Sequence, residues 1–291
     1  MGARWNIYFW SQRILGCRQF KFQKKKNLVK EFFIKEQSIV LFALFLSGFL
    51  GAYLVDKKGL NIIWIFGALS YFITGLMLLF IKEQKITKEK SKKFSDLFKQ
   101  SKESIKYAWK HHVLFFIIFA TFFIMFRDSF GGDLVWQPFL KNLGLPLYAF
   151  GLIFSASTLI GVIAPLFNNK LIKIFKTEKN YLVFLLIITI ILDASVIFIN
   201  NYIVGVFVLL LMFANIYMQI PATKYFFHNY VPGRLRATVT SVNSMVIALA
   251  YALSYPLSGY LADIITPKYT IALGSIILIP ALILYLKIKE K

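Results

Sequence analysis

The sequence predicts an all-α polytopic membrane protein with eight transmembrane helices, and three observations carry that prediction. First, 58% of the 291 residues are hydrophobic, with 31 Phe and 15 Tyr, against about 45–50% apolar residues in soluble domains. Second, the apolar residues gather into runs at 38–55, 60–81, 113–130, 147–167, 181–199, 202–222, 238–262 and 269–286. Each run reaches roughly the length that crosses a bilayer core as a helix. Third, the Lys and Arg behind the net charge of +21 stand almost entirely in the gaps between these runs.

That spacing decides what the charge means. A nucleic-acid binder collects its basic residues on one folded face, whereas here they alternate with membrane-length runs, so no nucleic-acid partner is expected. An amino terminus in the cytoplasm puts 29 of the 34 Lys and Arg on the inner side. The outer side then receives Lys57, Lys58, Lys141 and Lys268, and Arg127 is left within a span. The excess of inner positive charge predicts a multi-pass plasma-membrane protein with both termini cytoplasmic. Cys17 is the only cysteine, which provides neither a disulfide framework nor a Cys-based metal site.

Four regions follow in order. Residues 1–37 form a basic amino-terminal arm whose first twenty residues hold three of the six Arg and no Lys. It suits the anionic inner leaflet, and the compositional break also admits a segment not original to the protein. Residues 38–81 hold the first two spans, with Gly48, Gly51, Gly67 and Gly75 as small surfaces for neighbouring helices. Residues 82–112 carry ten Lys and four acids, a cytoplasmic linker in which Phe94, Leu97, Phe98, Ile105 and Trp109 keep the spacing of an amphipathic helix. Residues 113–288 contain the remaining six spans as one bundle. His111 and His112 are adjacent rather than four apart, which suits the water boundary and not a metal.

Within the bundle, intramembrane polar residues are the functional candidates, because each costs free energy unless it faces protein or a water-filled cavity. The third span ends in Arg127 and Asp128, followed by Asp133, Trp136 and Gln137. Arg127 lies about 21 Å from the inner end of its span and Asp193 about 18 Å from the same side, at 1.5 Å per residue. An Arg127–Asp193 pair is therefore possible, either as a structural ion pair or with Arg127 facing a cavity. Adjacent residues point about 100° apart, so Asp128 needs a partner of its own. The fourth span pairs Gly151 with Ser155 and Ser157 with Gly161, then meets Pro165. Asn215, Gln219 and Pro221 gather in the inner half of the sixth span, where the amides either bridge helices or touch cargo. The seventh span is preceded by a turn at Pro232-Gly233 with Arg234 and Arg236, and carries Ala250, Ser254, Ser258 and Ala262 at every fourth position.

This last segment resembles the major facilitator superfamily. The family opens its eleventh helix with a Pro-containing loop, a basic residue, a small residue and Thr, matched by Pro232, Arg236, Ala237 and Thr238. It closes the helix with P-L-x-G-x-L-A-D, matched by Pro256, Leu257, Gly259, Leu261, Ala262 and Asp263. Residues 82–112 resemble its interdomain linker, and residues 47–59 the end of its fifth helix. The resemblance covers about residues 35–288 and implies an incomplete fold: two helices of the amino-terminal half and a complete six-helix carboxy-terminal half, lacking the first four helices. Two family signatures are altered: NNKLIKIFK at 168–176 keeps basic character without the expected Gly and Asp, and residues 47–52 read SGFLGA where proton-coupled exporters have G-P-x-x-G-G.

The resemblance implies secondary active transport of a small solute, ion- or proton-coupled, with efflux as one direction. Its central site would be lined by Arg127, Asp128, Asn215 and Gln219, with Asp128 carrying the proton. Self-association or a separately encoded amino-terminal bundle would close such a cavity against lipid. The alternative is a truncated membrane protein without independent transport, acting as an interaction partner or a decayed gene product. No phosphate-cradling Gly loop, nucleophile elbow or zinc signature is present, so neither an enzyme nor a cofactor is expected.

Overall fold

The computed structural model describes residues 26–79, 111–231 and 236–288, together with Tyr107 and Trp109, and all the regular structure among them is helical. In a bilayer that is the economical solution for a single chain, since a helix satisfies its backbone hydrogen bonds within the segment. The elements are α1 Lys26–Lys58, α2 Asn61–Leu79, α3 His112–Asp128, α4 Asp133–Asn142 and α5 Leu147–Ile163. A 3₁₀ turn, Ala164–Phe167, joins α5 to α6 Asn168–Phe175, and α7 Glu178–Ser195 runs into a second 3₁₀ turn, Val196–Phe198. The chain closes with α8 Tyr202–Asn229, α9 Arg236–Ile265 and α10 Pro267–Lys287.

The breaks fall where the local chemistry demands them. Gly144 turns the chain between α4 and α5 at φ 92°, and Pro146 then fixes the extended approach to α5. Pro165 tightens the end of α5 into the 3₁₀ turn. Thr177 caps α7 by accepting a hydrogen bond from the Asn180 amide at 3.2 Å. At the carboxy terminus of α10, Lys179 donates to the Ile288 carbonyl at 2.6 Å and to the Leu286 carbonyl at 3.3 Å, placing a cation where the helix dipole favours one.

From α3 onward the helices form one bundle around two apolar clusters. The cluster at the linker end, where α3 begins, contains Leu114, Ile117, Leu185, Phe226, Leu278 and Tyr285. The cluster at the far end contains Val135, Trp136, Leu140, Val196, Met212 and Ile271. The helix α10 packs against both α3 and α7, α9 packs along α3, and α8 lies against α5 and α7. Ala250, Ser254 and Ser258 are buried on α9, where small side chains allow close packing.

Outside the bundle, α1 docks on α5 through backbone. Ser155 donates to the Phe45 carbonyl at 2.9 Å, and a Cβ placed on Gly151 would lie 2.6 Å from the Gly48 carbonyl oxygen and 2.9 Å from the Ala52 Cβ. The following helix, α2, leaves Trp64, Ile65, Phe66, Tyr71 and Phe72 exposed. Among the described residues, six helices are long and apolar enough to cross a membrane: Ile39–Lys58, Leu147–Phe175, Glu178–Phe198, Tyr202–Phe227, Thr238–Ile265 and Pro267–Lys287. The other two runs expected to span are not among these six. Asn61–Met77 is apolar but brief, and α3 stops after 17 residues at its charged end, Arg127-Asp128. Residues 1–25 of the amino-terminal arm, all but the end of the 82–112 linker, and Pro232 and Arg234 lie outside the described residues.

The α1–α5 contact has no room for a side chain. Gly151→Val is expected to destabilise the protein by about 1–3 kcal/mol, as overpacking does, whereas Gly67→Ala, with nothing within 4 Å of the added Cβ, should leave the thermal unfolding midpoint in detergent essentially unchanged.

Candidate functional site

Between the two apolar clusters lies a layer of polar side chains, and its charged centre is a buried ion pair. Arg127, in the last turn of α3, is 3% exposed, and Asp193, in the last turn of α7, is 0% exposed. The guanidinium engages the carboxylate with two donors: Nε donates to Oδ2 at 2.6 Å, and Nη2 donates to Oδ1. This bidentate fit is the strong form of an Arg–carboxylate contact.

The pair is made across a third helix. Since α10 packs between α3 and α7, the two side chains must cross its surface, and they do so at Gly274. A Cβ there would lie 2.9 Å from Asp193 Oδ2 and 3.2 Å from Arg127 Cγ. Gly131, in the turn after α3, covers the other side, where a Cβ would stand 3.3 Å from Arg127 Nη2.

One turn toward the linker end, the two amides of α8 join it to α7. Asn215 Nδ2 donates to the Leu185 carbonyl at 3.0 Å and lies 3.1 Å from Thr189 Oγ1. Gln219 Nε2 lies 2.9 Å from the same hydroxyl, 3.3 Å from the same carbonyl and 3.2 Å from Asn215 Oδ1. Of the two roles open to these amides in the sequence, the structure displays a bridge between helices. Leu185, Thr189 and Asp193 follow one another at intervals of four, so a single face of α7 presents a carbonyl, a hydroxyl and a carboxylate in succession.

Asp128 points elsewhere. It is half-buried and accepts a hydrogen bond from Tyr251 Oη of α9 at 2.9 Å. Tyr251 also lies 3.4 Å from Met125 Sδ, and its ring stacks on Tyr255 with centroids 5.4 Å apart. Beside it, the hydroxyls of Ser129 and Ser254 meet at 2.6 Å where α3 and α9 cross. Arg127 and Asp128, neighbours in sequence, thus tie α3 to different helices.

A second polar knot closes the linker end. Asn168, buried at the start of α6, accepts from Tyr181 Oη at 2.7 Å and donates to the Met218 carbonyl at 3.0 Å. Sequence reasoning passed over Asn168, Thr189, Tyr251 and Gly274. Thr189 could have been found from its position four residues before Asp193, whereas nothing in the apolar run around Gly274 distinguishes it from an ordinary packing glycine. Among the described residues, no group of three or more His, Cys, Asp or Glu is arranged to hold a metal ion. Arg236 is the first residue of α9.

Comparison with known proteins agrees with this architecture. A family profile described as Major Facilitator Superfamily matches residues 37–254 and, in a second overlapping stretch, residues 130–291. Among curated proteins and among solved structures, nothing matches the chain. The first profile match alone spans well over half of the sequence and covers both the α1–α5 contact and the polar layer. The chain belongs to the major facilitator superfamily of membrane transporters.

Proposed function

We propose that the chain carries a small solute by secondary active transport, coupled to protons through Asp128. The observation behind this reading is the division of labour between two adjacent charges. Arg127 is committed to Asp193 inside the bundle, while Asp128 is half-buried and hydrogen-bonded to a tyrosine on α9. A carboxylate in that setting can take up and release a proton as its surroundings change. A fully buried bidentate pair is better suited to holding helices together. In this reading Arg127, Asn215 and Gln219 keep α3, α7 and α8 in register, and Asp128 faces the coupled step.

All eight apolar runs cross the membrane in this proposal, α2 and α3 included, with both termini in the cytoplasm of a plasma-membrane protein. The asymmetry of Lys and Arg supports that orientation. Contacts with a second copy, or with a separately encoded bundle, would shield polar groups left facing lipid.

Three measurements test the proposal. In proteoliposomes under an imposed pH gradient, Asp128→Asn should abolish gradient-driven solute movement while leaving solute exchange in place. Gradient-driven flux unchanged by the substitution removes Asp128 from coupling, and an absence of any flux from the well-folded chain favours the reading as a partner protein. Arg127→Met alone should lower stability by about 3–5 kcal/mol, because it strands a buried carboxylate. The double variant Arg127→Met/Asp193→Leu should recover most of that loss in thermal unfolding. In intact cells of a Cys17→Ser background, a cysteine at position 58 should react with an impermeant maleimide from outside, and one at position 170 only after permeabilisation.

A further inference from the structure

We infer that α6 and the 3₁₀ turn before it form a docking surface for anionic phospholipid headgroups. The turn and helix leave the end of α5 at the linker end of the bundle. Leu171, Ile172 and Phe175 face inward onto the apolar cluster there, and Phe175 packs on Phe184 with ring centroids 4.4 Å apart. The opposite face is mixed: Leu166 is 72% exposed, Phe167 49% and Ile174 69%, and Lys170 and Lys173 are exposed between them. Leu166, Lys170, Lys173 and Ile174 stand at positions i, i+4, i+7 and i+8, so apolar and cationic groups share one stripe.

Such a stripe suits neither bulk water nor the hydrocarbon core. It fits the boundary between them, where apolar side chains enter the acyl region and Lys ammonium groups rise to the headgroups. The charge complements an anionic leaflet: α6 contains Lys170 and Lys173 and no acid, and Lys176 follows directly. Lys179, the next basic residue, is engaged at the carboxy terminus of α10, which separates a structural lysine from the three that face outward.

Lys176 adds an independent observation. It ends α6 with φ 66°, a conformation in which glycine is strongly preferred. The chain places an exposed lysine there at the cost of backbone strain, so charge and stability can be tested apart at this position.

The test uses the full chain with Cys17→Ser and Ile174→Cys, labelled at position 174 with a small fluorophore and reconstituted in nanodiscs. Quenching by brominated phosphatidylglycerol is compared with quenching by brominated phosphatidylcholine at equal mole fraction. The surface predicts stronger quenching by phosphatidylglycerol. That preference should fall by about fivefold for each lysine removed in Lys170→Gln, Lys173→Gln and Lys176→Gly, from roughly 1 kcal/mol per charge near an anionic surface. Soluble glycerol phosphate at millimolar concentration should leave it intact, which separates a membrane surface from a free phosphate. Lys176→Gly alone should reduce the preference while keeping or raising the unfolding temperature. Equal quenching by the two lipids, a preference indifferent to the three lysines, or its loss to glycerol phosphate would each overturn the inference.

Discussion

A bundle surrounded by hydrocarbon has no solvent in which to hide a charge, and this one carries a guanidinium and a carboxylate at full burial. Each would cost several kcal/mol alone after relaxation. Together, in bidentate contact, they convert two liabilities into a constraint on where α3 and α7 can stand. The remainder of the polar layer follows from that constraint. With α7 held by Asp193, the same face brings Thr189 and the Leu185 carbonyl to α8, and Asn215 and Gln219 meet them. With α3 held by Arg127, the neighbouring Asp128 is turned toward α9 and Tyr251.

The polar layer also explains why the apolar core is divided. Packing alone would favour a continuous column of Leu, Ile and Phe through six helices, with little to fix their rotation, since lipid tails are as apolar as the side chains they would replace. Hydrogen bonds between named partners supply the missing specificity. The two clusters then fill the space on either side, with Tyr181 and Asn168 closing the linker end and Trp136 packed between Phe150 and the edge-on ring of Phe213 at the far end.

Much of this was legible in the sequence, to different depths. Helicity and membrane character follow from composition and run length alone. Counting residues from the span ends puts Arg127 and Asp193 at similar depth, and the structure pairs them. The two readings of Asn215 and Gln219 could not be separated, because a bridging amide and a cargo-binding amide obey the same cost argument and differ only in what stands opposite. Tyr251 escaped notice for a related reason: one tyrosine among 15 has no local signal until α9 is set beside α3. Two of the eight runs are not among the six helices that are long and apolar enough to cross among the described residues: α3 counts 17 residues, and the described part of α2 is apolar over Asn61–Met77.

Gly274 has a consequence of another kind. A missing side chain usually leaves a position free to vary, and here it does the reverse. Any residue other than glycine would place an atom against Asp193 Oδ2 and the Arg127 stem, so the opening in α10 and the two charges passing over it form one steric unit. A lineage that filled the opening would have to discard both charges, and a lineage that lost either charge would be freed to fill it. Positions 127, 193 and 274, far apart in the chain, are therefore expected to vary together among relatives.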